Sequence, residues 1–401
     1  MPSQKVEFPN ASGHLLSGIM DHLGRPPVAY ALFAHCFTCS KNLKAASNIS
    51  AALNASGIAV LRFDFTGLGQ SEGDFSDTNF SSNVDDLLTA SAFLEERFEA
   101  PAILVGHSLG GTAVLQAARR IESAVAVATI GSPSEAVHVA HLLEGSRDEL
   151  RERGEATVNL GGRPFRMKQQ FVDDLESHAI EPALGSLRKA LLIMHAPLDT
   201  VVEVDNASAL FVAAKHPKSF VSLDDADHLL SREEDSLYAG KVLAAWASRY
   251  LPERDDVSAA DDSQVAATTR SGGFRTDITL PNAQLIADEP ASVGGTGLGP
   301  TPYDLLSAAL ASCTTMTLQM YARHKKLDLR AATVMIEHDK IHAKDCMDCE
   351  RSDGKIDEFR RTITLEGDLT EEQRQRMLEI ADRCPVHRTL HSEVKVRSSL
   401  A

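Results

Sequence analysis

The sequence predicts two domains: an α/β domain with a mainly parallel sheet covered by helices on both faces, followed by a smaller α+β domain. Three observations predict this. The chain has 401 residues, whereas a single core usually stops growing near ~250–300 residues. Apolar strand-like runs alternate with amphipathic helical segments up to "LAAWASRYL". The acidic stretch "PERDDVSAADDSQ" that follows lacks apolar periodicity and is typical of a linker.

The first domain is expected over residues 1–252 and contains six runs typical of buried strands. These are "PVAYALFAH", "GIAVLRFDF", "PAILVGHS", "AVAVATIG", "KALLIMHAP" and "SFVSLDDADH". Helices such as Asn42–Ala55 and Asn83–Phe98 separate most of them, which indicates a parallel sheet buried on both faces. Residues 136–187 interrupt this alternation with charged helical stretches and a hairpin signal at Gly161–Gly162. We expect an inserted lid there.

The second domain is expected over residues 265–401, after a linker over residues 253–264. Two strand-like runs precede the long helix "YDLLSAALASCTTMTLQMYARHKK". Two further strands, "AATVMIEHDKIH" and "FRRTITLEGDL", lead to the helix "TEEQRQRMLEIADR", a break at Cys384–Pro385 and a final strand. Since strands and helices are grouped here and do not alternate, the pattern is α+β.

Composition excludes several classes of function. A net charge of −16 argues against nucleic acid or an anionic membrane surface as the main partner. No apolar run approaches the ~18 residues that span a bilayer, and the N-terminus lacks the pattern of a signal peptide. The six cysteines are too few for a secreted disulfide framework. We therefore expect a cytoplasmic protein with reduced thiols and no cofactor.

A serine motif follows one predicted strand. "GHSLGG", Gly106–Gly111, fits G-x-S-x-G between a strand and a helix. Asp199 follows the strand "ALLIMHAP", and His228 follows "SFVSLDDAD". This order predicts a triad in which Ser108 is the nucleophile, His228 removes its proton, and Asp199 orients the imidazole. The alternative is a binding or sensing protein in which these three residues occur in this order by chance.

With these residues in place, the first domain resembles the α/β-hydrolase superfamily over roughly residues 5–252. The resemblance implies that His35-Cys36-Phe37 is the oxyanion loop, so that the backbone N–H groups of Phe37 and Leu109 form the oxyanion hole. Cys36 replaces the usual glycine of that loop. The resemblance also makes Asp64 a residue that shapes its loop and not a second catalytic acid.

Cys36 and Cys39 are spaced C-x-x-C, and three interpretations stay open. They could share a zinc ion with Cys346 and Cys349, pack as small residues under the loop, or form a regulatory disulfide. We expect the packing role. A disulfide would distort the oxyanion loop, so treatment with diamide would then lower esterase activity.

Two further cysteines suggest thiol chemistry. Cys313 lies in the apolar stripe of the long helix and is typical of a core residue. Cys384 precedes Pro385, which would place its thiol at a helix N-terminus and favour the thiolate. "GPTPYDLLSAALASCTTMTL" and "ADRCPVHRTL" are similar to the two cysteine motifs of the OsmC/Ohr family, over about residues 265–399.

That resemblance implies reduction of organic hydroperoxides, in which Cys313 attacks the peroxide, Cys384 resolves the product as a disulfide, and a dithiol reductant restores both thiols. It also implies an interlocked homodimer. Family peroxidases carry a Glu that orients an arginine toward the thiolate. Tyr303 stands at that position here, with Asp304 beside it, and Arg270 or Arg275 would supply the arginine. The alternative is a dimerisation or ligand-binding module.

Two weaker patterns remain. His338, His342, Cys346 and Cys349 have spacing compatible with a metal site, but we expect reduced cysteines in a loop and no metal. In the predicted lid, Phe165, Met167 and Phe171 alternate with basic residues (Arg163, Arg166 and Lys168). This pattern suggests either a pocket for a small, negatively charged acyl ester or ordinary hairpin packing with solvated basic side chains.

The sequence thus predicts a homodimer whose first domain is a serine carboxylesterase for small acyl esters. Its second domain is predicted to be a thiol domain.

Overall fold

The computed structural model describes residues 3–36, 39–136, 146–160, 163–177, 184–251, 265–269, 271, 273–281, 283–342 and 355–400. The chain divides into two compact units, Met1–Thr268 with Asp277–Ile286, and Thr269–Thr276 with Ala287–Ala401. The expected linker lies outside the described residues, and the expected domain boundaries stay predictions. Within the described ranges, no helix is long and apolar enough to cross a membrane.

An eight-stranded sheet forms the centre of the first unit. Its strands are β1 (Ser3–Pro9), β2 (Leu15–Asp21), β3 (Ala29–Ala34), β4 (Ile58–Phe63), β5 (Ile103–His107), β6 (Ala126–Ile130), β9 (Ala190–His195) and β10 (Lys218–Ser222). They lie in the order β1-β2-β4-β3-β5-β6-β9-β10. The pairs β1–β2 and β2–β4 are antiparallel, and the pairs from β4 to β10 are parallel. The predicted mainly parallel sheet is confirmed.

Helices follow the strands of this sheet: α1 (Lys44–Ala55), α2 (Phe80–Arg97), α3 (Leu109–Ala117), α6 (Asp205–Ala213) and α7 (Glu233–Ala247). Apolar residues of α1 and α7 share one buried cluster with β3, β4, β5, β6 and β9. The two helices approach closely because Gly240 has no side chain: a Cβ there would lie 2.7 Å from that of Ala52. Because the strands from β4 to β10 are parallel, their carboxyl ends lie at one edge of the sheet.

The insertion between β6 and β9 contains α4 (Arg147–Arg153), the antiparallel strands β7 (Glu155–Leu160) and β8 (Arg163–Lys168), and α5 (Gln169–Ser177). The hairpin was predicted, although Gly161–Gly162 lies outside the described residues. The insertion packs against the short helix Phe75–Asp77. The ring of Phe165 contacts the ring of Phe75, with the ring centroids 5.4 Å apart. Met167 and Phe171 are buried.

Two basic side chains of the hairpin, those of Arg166 and Lys168, are paired with carboxylates. Arg166 donates to Asp74 at 2.9 Å, and Lys168 forms an ion pair with Asp77. These contacts of Arg166 and Lys168 agree better with hairpin packing than with a pocket for an anionic substrate, but the two side chains are paired and not merely solvated.

The C-terminal part contains β11 (Ala266–Thr269), β12 (Thr276–Leu280), β13 (Ala283–Ala287), α8 (Pro302–Lys325), β14 (Ala331–His342), β15 (Lys355–Glu366), α9 (Glu371–Ala381) and α10 (Pro385–Leu390). Strands β14 and β15 pair antiparallel, from Ala331 opposite Glu366 to His342 opposite Lys355. Leu318 and Ala322 of α8 pack against Met377, Ile380 and Ala381 of α9. The predicted α+β arrangement and its long helix are confirmed.

The predicted final strand is wrong. After Cys384 the chain forms α10, because Pro385 at the first helical position has a fixed φ suited to a helix and the Cys384 Sγ accepts the N–H of His387. Residues 393–400 are described and contain no strand.

Candidate active sites

Ser108 lies on a sharp turn between β5 and α3, with φ of 54°. This region is uncommon for residues other than glycine, and such strain is typical of a nucleophile elbow. The neighbouring glycines are required by close contacts. A Cβ at Gly106 would lie 2.3 Å from the Gly110 carbonyl oxygen, and one at Gly110 would lie 2.5 Å from that of His35. The turn therefore projects the serine hydroxyl at the carboxyl edge of the sheet.

The structure brings the three predicted triad residues together. His228 Nε2 lies 3.1 Å from Ser108 Oγ, and its Nδ1 lies 2.7 Å from Asp199 Oδ2. The other oxygen of Asp199 accepts the N–H groups of Val201 and Val202 at 2.8 and 2.9 Å. Burial raises the pKa of Asp199, but the hydrogen bonds from His228 and Val202 outweigh it, and the pKa is lowered. Asp199 is therefore ionised at neutral pH.

The oxyanion loop is described only in part. Leu109 is the first residue of α3 and is buried, whereas Phe37 lies outside the described residues. The pairing of their N–H groups stays a prediction. Gly110 packs directly on the carbonyl groups of Ala34 and His35, so the start of α3 adjoins the chain that enters this loop.

The expected role of Asp64 in shaping a loop is supported by its contacts with Lys41. Asp64 Oδ1 accepts the Lys41 N–H at 2.6 Å, and its Oδ2 accepts the Lys41 ammonium at 2.5 Å. The Lys41 carbonyl accepts from Arg62, which pairs with Asp21 at 2.6 Å. Sequence reasoning missed Lys41, because a lysine is almost never fully buried unless it is paired and the pairing is not visible in sequence.

Cys36 and Cys39 form a disulfide, with their Cα atoms 5.4 Å apart. The expectation of two separate packing thiols is therefore wrong, and so is that of reduced thiols at this pair. Whether the disulfide distorts the oxyanion loop stays a prediction, because Phe37 lies outside the described residues. The Lys41–Asp64 pair and the hydrogen bonds of the triad are made with the disulfide in place.

Cys384 is the buried residue that caps α10. Its Sγ accepts the His387 N–H at 3.3 Å and the Thr314 hydroxyl at 3.6 Å. Burial raises the pKa of this thiol, but the hydrogen bonds from His387, Thr314 and Cys313 outweigh it, and the pKa is lowered. The predicted helix terminus and thiolate preference agree with this geometry.

Cys313 lies on α8 and is half-buried. It lines an apolar cavity of about 610 Å³ together with Met316, Met320, Pro385 and Val386. The two cysteines predicted as a pair therefore lie at one site, with Cys313 open to the cavity.

Two of the four residues expected to support the thiol site, Tyr303 and Asp304, have described contacts. Asp304 accepts from the N–H and hydroxyl of Thr301 and so caps α8. Tyr303 stacks on the His338 ring with centroids 4.2 Å apart.

Arg270 lies outside the described residues, and Arg275 lies just before β12. The guanidinium of Arg361 in β15 contacts Thr314, whose hydroxyl oxygen lies 3.6 Å from Cys384 Sγ. It donates to Thr314 Oγ1 at 3.2 Å and to Asp382 at 2.5 Å. No local signal distinguishes Arg361 from Arg360, because only strand alternation decides which of the two faces α8.

Two of the four candidate metal ligands, His338 and His342, lie in β14. His338 Nε2 is 2.9 Å from Asp357, and His342 is the last residue of that strand. Cys346 and Cys349 lie outside the described residues. Among the residues that the structure describes, no cluster of three or more His, Cys, Asp or Glu could hold a metal ion.

Comparison with known proteins matches both parts of the chain. Residues 31–284 match the family described as "Alpha/beta hydrolase family", and residues 295–399 match that described as "OsmC-like protein". The solved esterase domain of a Rhodothermus marinus protein is 50% identical, with a TM-score of 0.53. That match covers 63% of this chain and 100% of that one.

Two curated relatives are more distant. The uncharacterised protein YfhR of Salmonella typhimurium is 25% identical over 232 residues, which are 57% of this chain and 75% of YfhR. Mouse ABHD10, a mitochondrial palmitoyl-protein thioesterase, is 29% identical over 153 residues. These are 36% of this chain, and the match spans 50% of ABHD10.

Proposed function

Since this chain belongs to the alpha/beta hydrolase family and continues into an OsmC-like domain, we propose that its first domain is a serine carboxylesterase for small acyl esters. The observation that carries the proposal is the continuous hydrogen-bonded series Asp199–His228–Ser108, with distances of 2.7 and 3.1 Å. The esterase named in the Rhodothermus marinus structure supports the choice of substrate class.

The proposed mechanism follows from these contacts. The Asp199 carboxylate can only accept, so neutral His228 carries its proton on Nδ1 and presents a free lone pair at Nε2. His228 then takes the Ser108 proton as the oxygen attacks the acyl carbonyl. It returns that proton to the leaving alkoxide, which departs as the alcohol. Water, activated in the same way, releases the acid from Ser108. The N–H groups of Leu109 and Phe37 would stabilise the oxyanion.

A serine-directed phosphonate is expected to label Ser108 once per chain and to abolish hydrolysis of p-nitrophenyl esters in parallel. Mass spectrometry of the labelled peptide and initial rates measure the two effects. The substrate series would vary in acyl length and charge, with acyl thioesters included because of the thioesterase relative. The Ser108→Ala variant is the unlabelled control. Labelling elsewhere, or hydrolysis that survives full labelling, would contradict the proposal.

Reduction of organic hydroperoxides is a second candidate function, for the OsmC-like domain. It is favoured by the location of Cys313 at an apolar cavity with Cys384 beside it. The Cys313 thiolate would attack the peroxide O–O bond, giving a sulfenic acid and the alcohol. Cys384 would then displace water to form a disulfide, which an external dithiol reduces. Arg361, through Thr314, would stabilise the Cys384 thiolate.

Purified protein with a dithiol is expected to consume cumene hydroperoxide, and the Cys313→Ser variant is expected to lose this turnover. The double variant Cys36→Ala/Cys39→Ala is the matched control and should keep it, because these cysteines lie in the other unit. No turnover above the Cys313→Ser level, with esterase activity intact, would favour a dimerisation or ligand-binding module.

The homodimer implied by the OsmC resemblance stays a prediction. Met316 and Met320 of α8 are 66% and 73% exposed, and a second chain that covered this helix would bury them. The cytoplasmic location also stays a prediction.

A further inference from the structure

Two buried histidines outside the triad contact the loops that carry it. His107, the last residue of β5, has its Nε2 2.7 Å from the carbonyl oxygen of His228. His195, the last residue of β9, has its Nε2 2.8 Å from the carbonyl oxygen of Val202. Both side chains are buried. Each strand end thus presents an imidazole to the backbone of a loop that carries a triad residue.

These contacts define which nitrogen of each ring carries a hydrogen. A carbonyl oxygen only accepts, so each Nε2 must carry hydrogen. The Nδ1 atoms of His107 and His195 are buried and have no hydrogen-bond partner among the described residues. At His107, a second proton on Nδ1 would create a buried charge at an atom that has no hydrogen-bond partner among the described residues. For His107, burial and the nearby His228 lower the pKa to about 3. His107 is therefore a neutral Nε2–H donor at the pH of catalysis. His195 likewise donates from Nε2 to a carbonyl oxygen.

The two donors act on opposite ends of the Asp199–His228 hydrogen bond. His107 fixes the backbone of His228 itself. Val202 accepts the His195 Nε2–H at its carbonyl and donates its own N–H to Asp199 Oδ1 at 2.9 Å. His195 therefore fixes the residue that orients the Asp199 carboxylate.

We propose that His107 and His195 are positioning residues, whose Nε2–H donors hold His228 and Asp199 in the geometry required for hydrolysis. The inference rests on the proposed serine-hydrolase function of the first domain. The Nε2–H of each ring donates to a backbone carbonyl oxygen, whereas the imidazole that lies 3.1 Å from Ser108 Oγ is that of His228. Both rings act on the backbone of the two loops, and His195 Nε2 also lies 3.7 Å from Asp199 Oδ2.

Substitutions by Leu and by Gln separate the donor from the bulk of the ring. Leu fills the space without a donor, whereas the Gln amide can place an N–H near the position of Nε2. We expect His107→Leu and His195→Leu to lower kcat by about tenfold to a hundredfold, with KM nearly unchanged, because small displacements of catalytic groups have effects of this size. The Gln variants should stay within about threefold of wild type.

Asn54→Leu is the matched control. Asn54 is also buried and donates to the Asp21 and Ile58 carbonyls, at 3.2 and 2.9 Å. Ile58 begins β4, so these bonds lie at the edge of the sheet opposite Ser108. This variant should lose stability and keep kcat. Equal losses of kcat in the Leu and Gln variants, or wild-type kcat in both Leu variants, would overturn the inference.

The rate of phosphonate labelling at Ser108 gives a second readout, because it depends on His228 and needs no ester turnover. Slower labelling in the Leu variants, restored in the Gln variants, supports the inference even if the chosen esters are poor substrates. If the wild-type protein and all His107 and His195 variants hydrolyse esters equally well, the positioning role is refuted and the proposed function is not. Wild-type protein that neither reacts with the phosphonate nor hydrolyses esters refutes both this role and the proposed function.

Discussion

Replacing Asp199 with Asn is expected to lower kcat for ester hydrolysis by about 10⁴-fold, with KM little changed. Asp199 Oδ2 accepts the Nδ1–H of His228 at 2.7 Å. An amide NH₂ at this position would donate to Nδ1 and move the ring proton to Nε2. His228 would then face Ser108 with a proton and could not accept one. Because the exchange keeps size and shape, ester binding should be unaffected.

Asp227→Asn is the matched control for this experiment. Asp227 directly precedes His228, but it is exposed and accepts the Ser231 N–H at 2.9 Å. The kcat of the Asp227→Asn variant should remain close to that of the wild-type protein. Steady-state kinetics on one p-nitrophenyl ester compares the two variants. Comparable kcat in both would mean that Asp199 does not set the His228 tautomer.

Replacing Lys41 with Met is expected to destabilise the first domain by about 3–5 kcal/mol. The Lys41 and Asp64 side chains are 1% and 0% exposed. Removing the ammonium would leave a carboxylate in the core with only part of its hydrogen bonds, and the desolvation of that charge would no longer be offset. The same change would release the chain that follows Cys39, so esterase activity should fall with stability.

Urea unfolding followed by tryptophan fluorescence measures this effect in the first domain, because Trp246 is the only tryptophan and lies in α7. Lys168→Met is the matched control: its partner Asp77 is exposed, and such pairs contribute at most about 1 kcal/mol. The double variant Lys41→Met/Asp64→Asn should recover part of the loss, since no unpaired charge remains. A Lys41→Met variant as stable as wild type would show that the buried pair contributes nothing.

The fold class and the order of the candidate triad could be predicted from the sequence because local patterns of residues indicate both. Continuous apolar runs between amphipathic helices specify a parallel sheet, and the chain order of Ser108, Asp199 and His228 places each residue after its own strand. The same holds for α8, whose start at Thr301 and Pro302 is a local capping signal.

Pairings between distant residues could not be read in this way. The burial of Lys41 depends on Asp64, which lies 23 positions further along the chain. The contact of Arg361, and not Arg360, with Thr314 depends on which face of β15 packs against α8. Local spacing was also compatible with several states of Cys36 and Cys39, and with either a strand or a helix after Cys384.

The sequence by itself determined that this protein has an α/β domain with a Ser-Asp-His order, followed by an α+β domain with two separated cysteines. Hydrophobic periodicity and strand-to-loop transitions are properties of neighbouring residues, so they can be recognised in the sequence alone. The tertiary structure alone decided which buried charges are paired, that Cys36 and Cys39 are joined, and that His107 and His195 contact the triad loops. Those contacts arise only when strands distant in sequence become neighbours in the sheet.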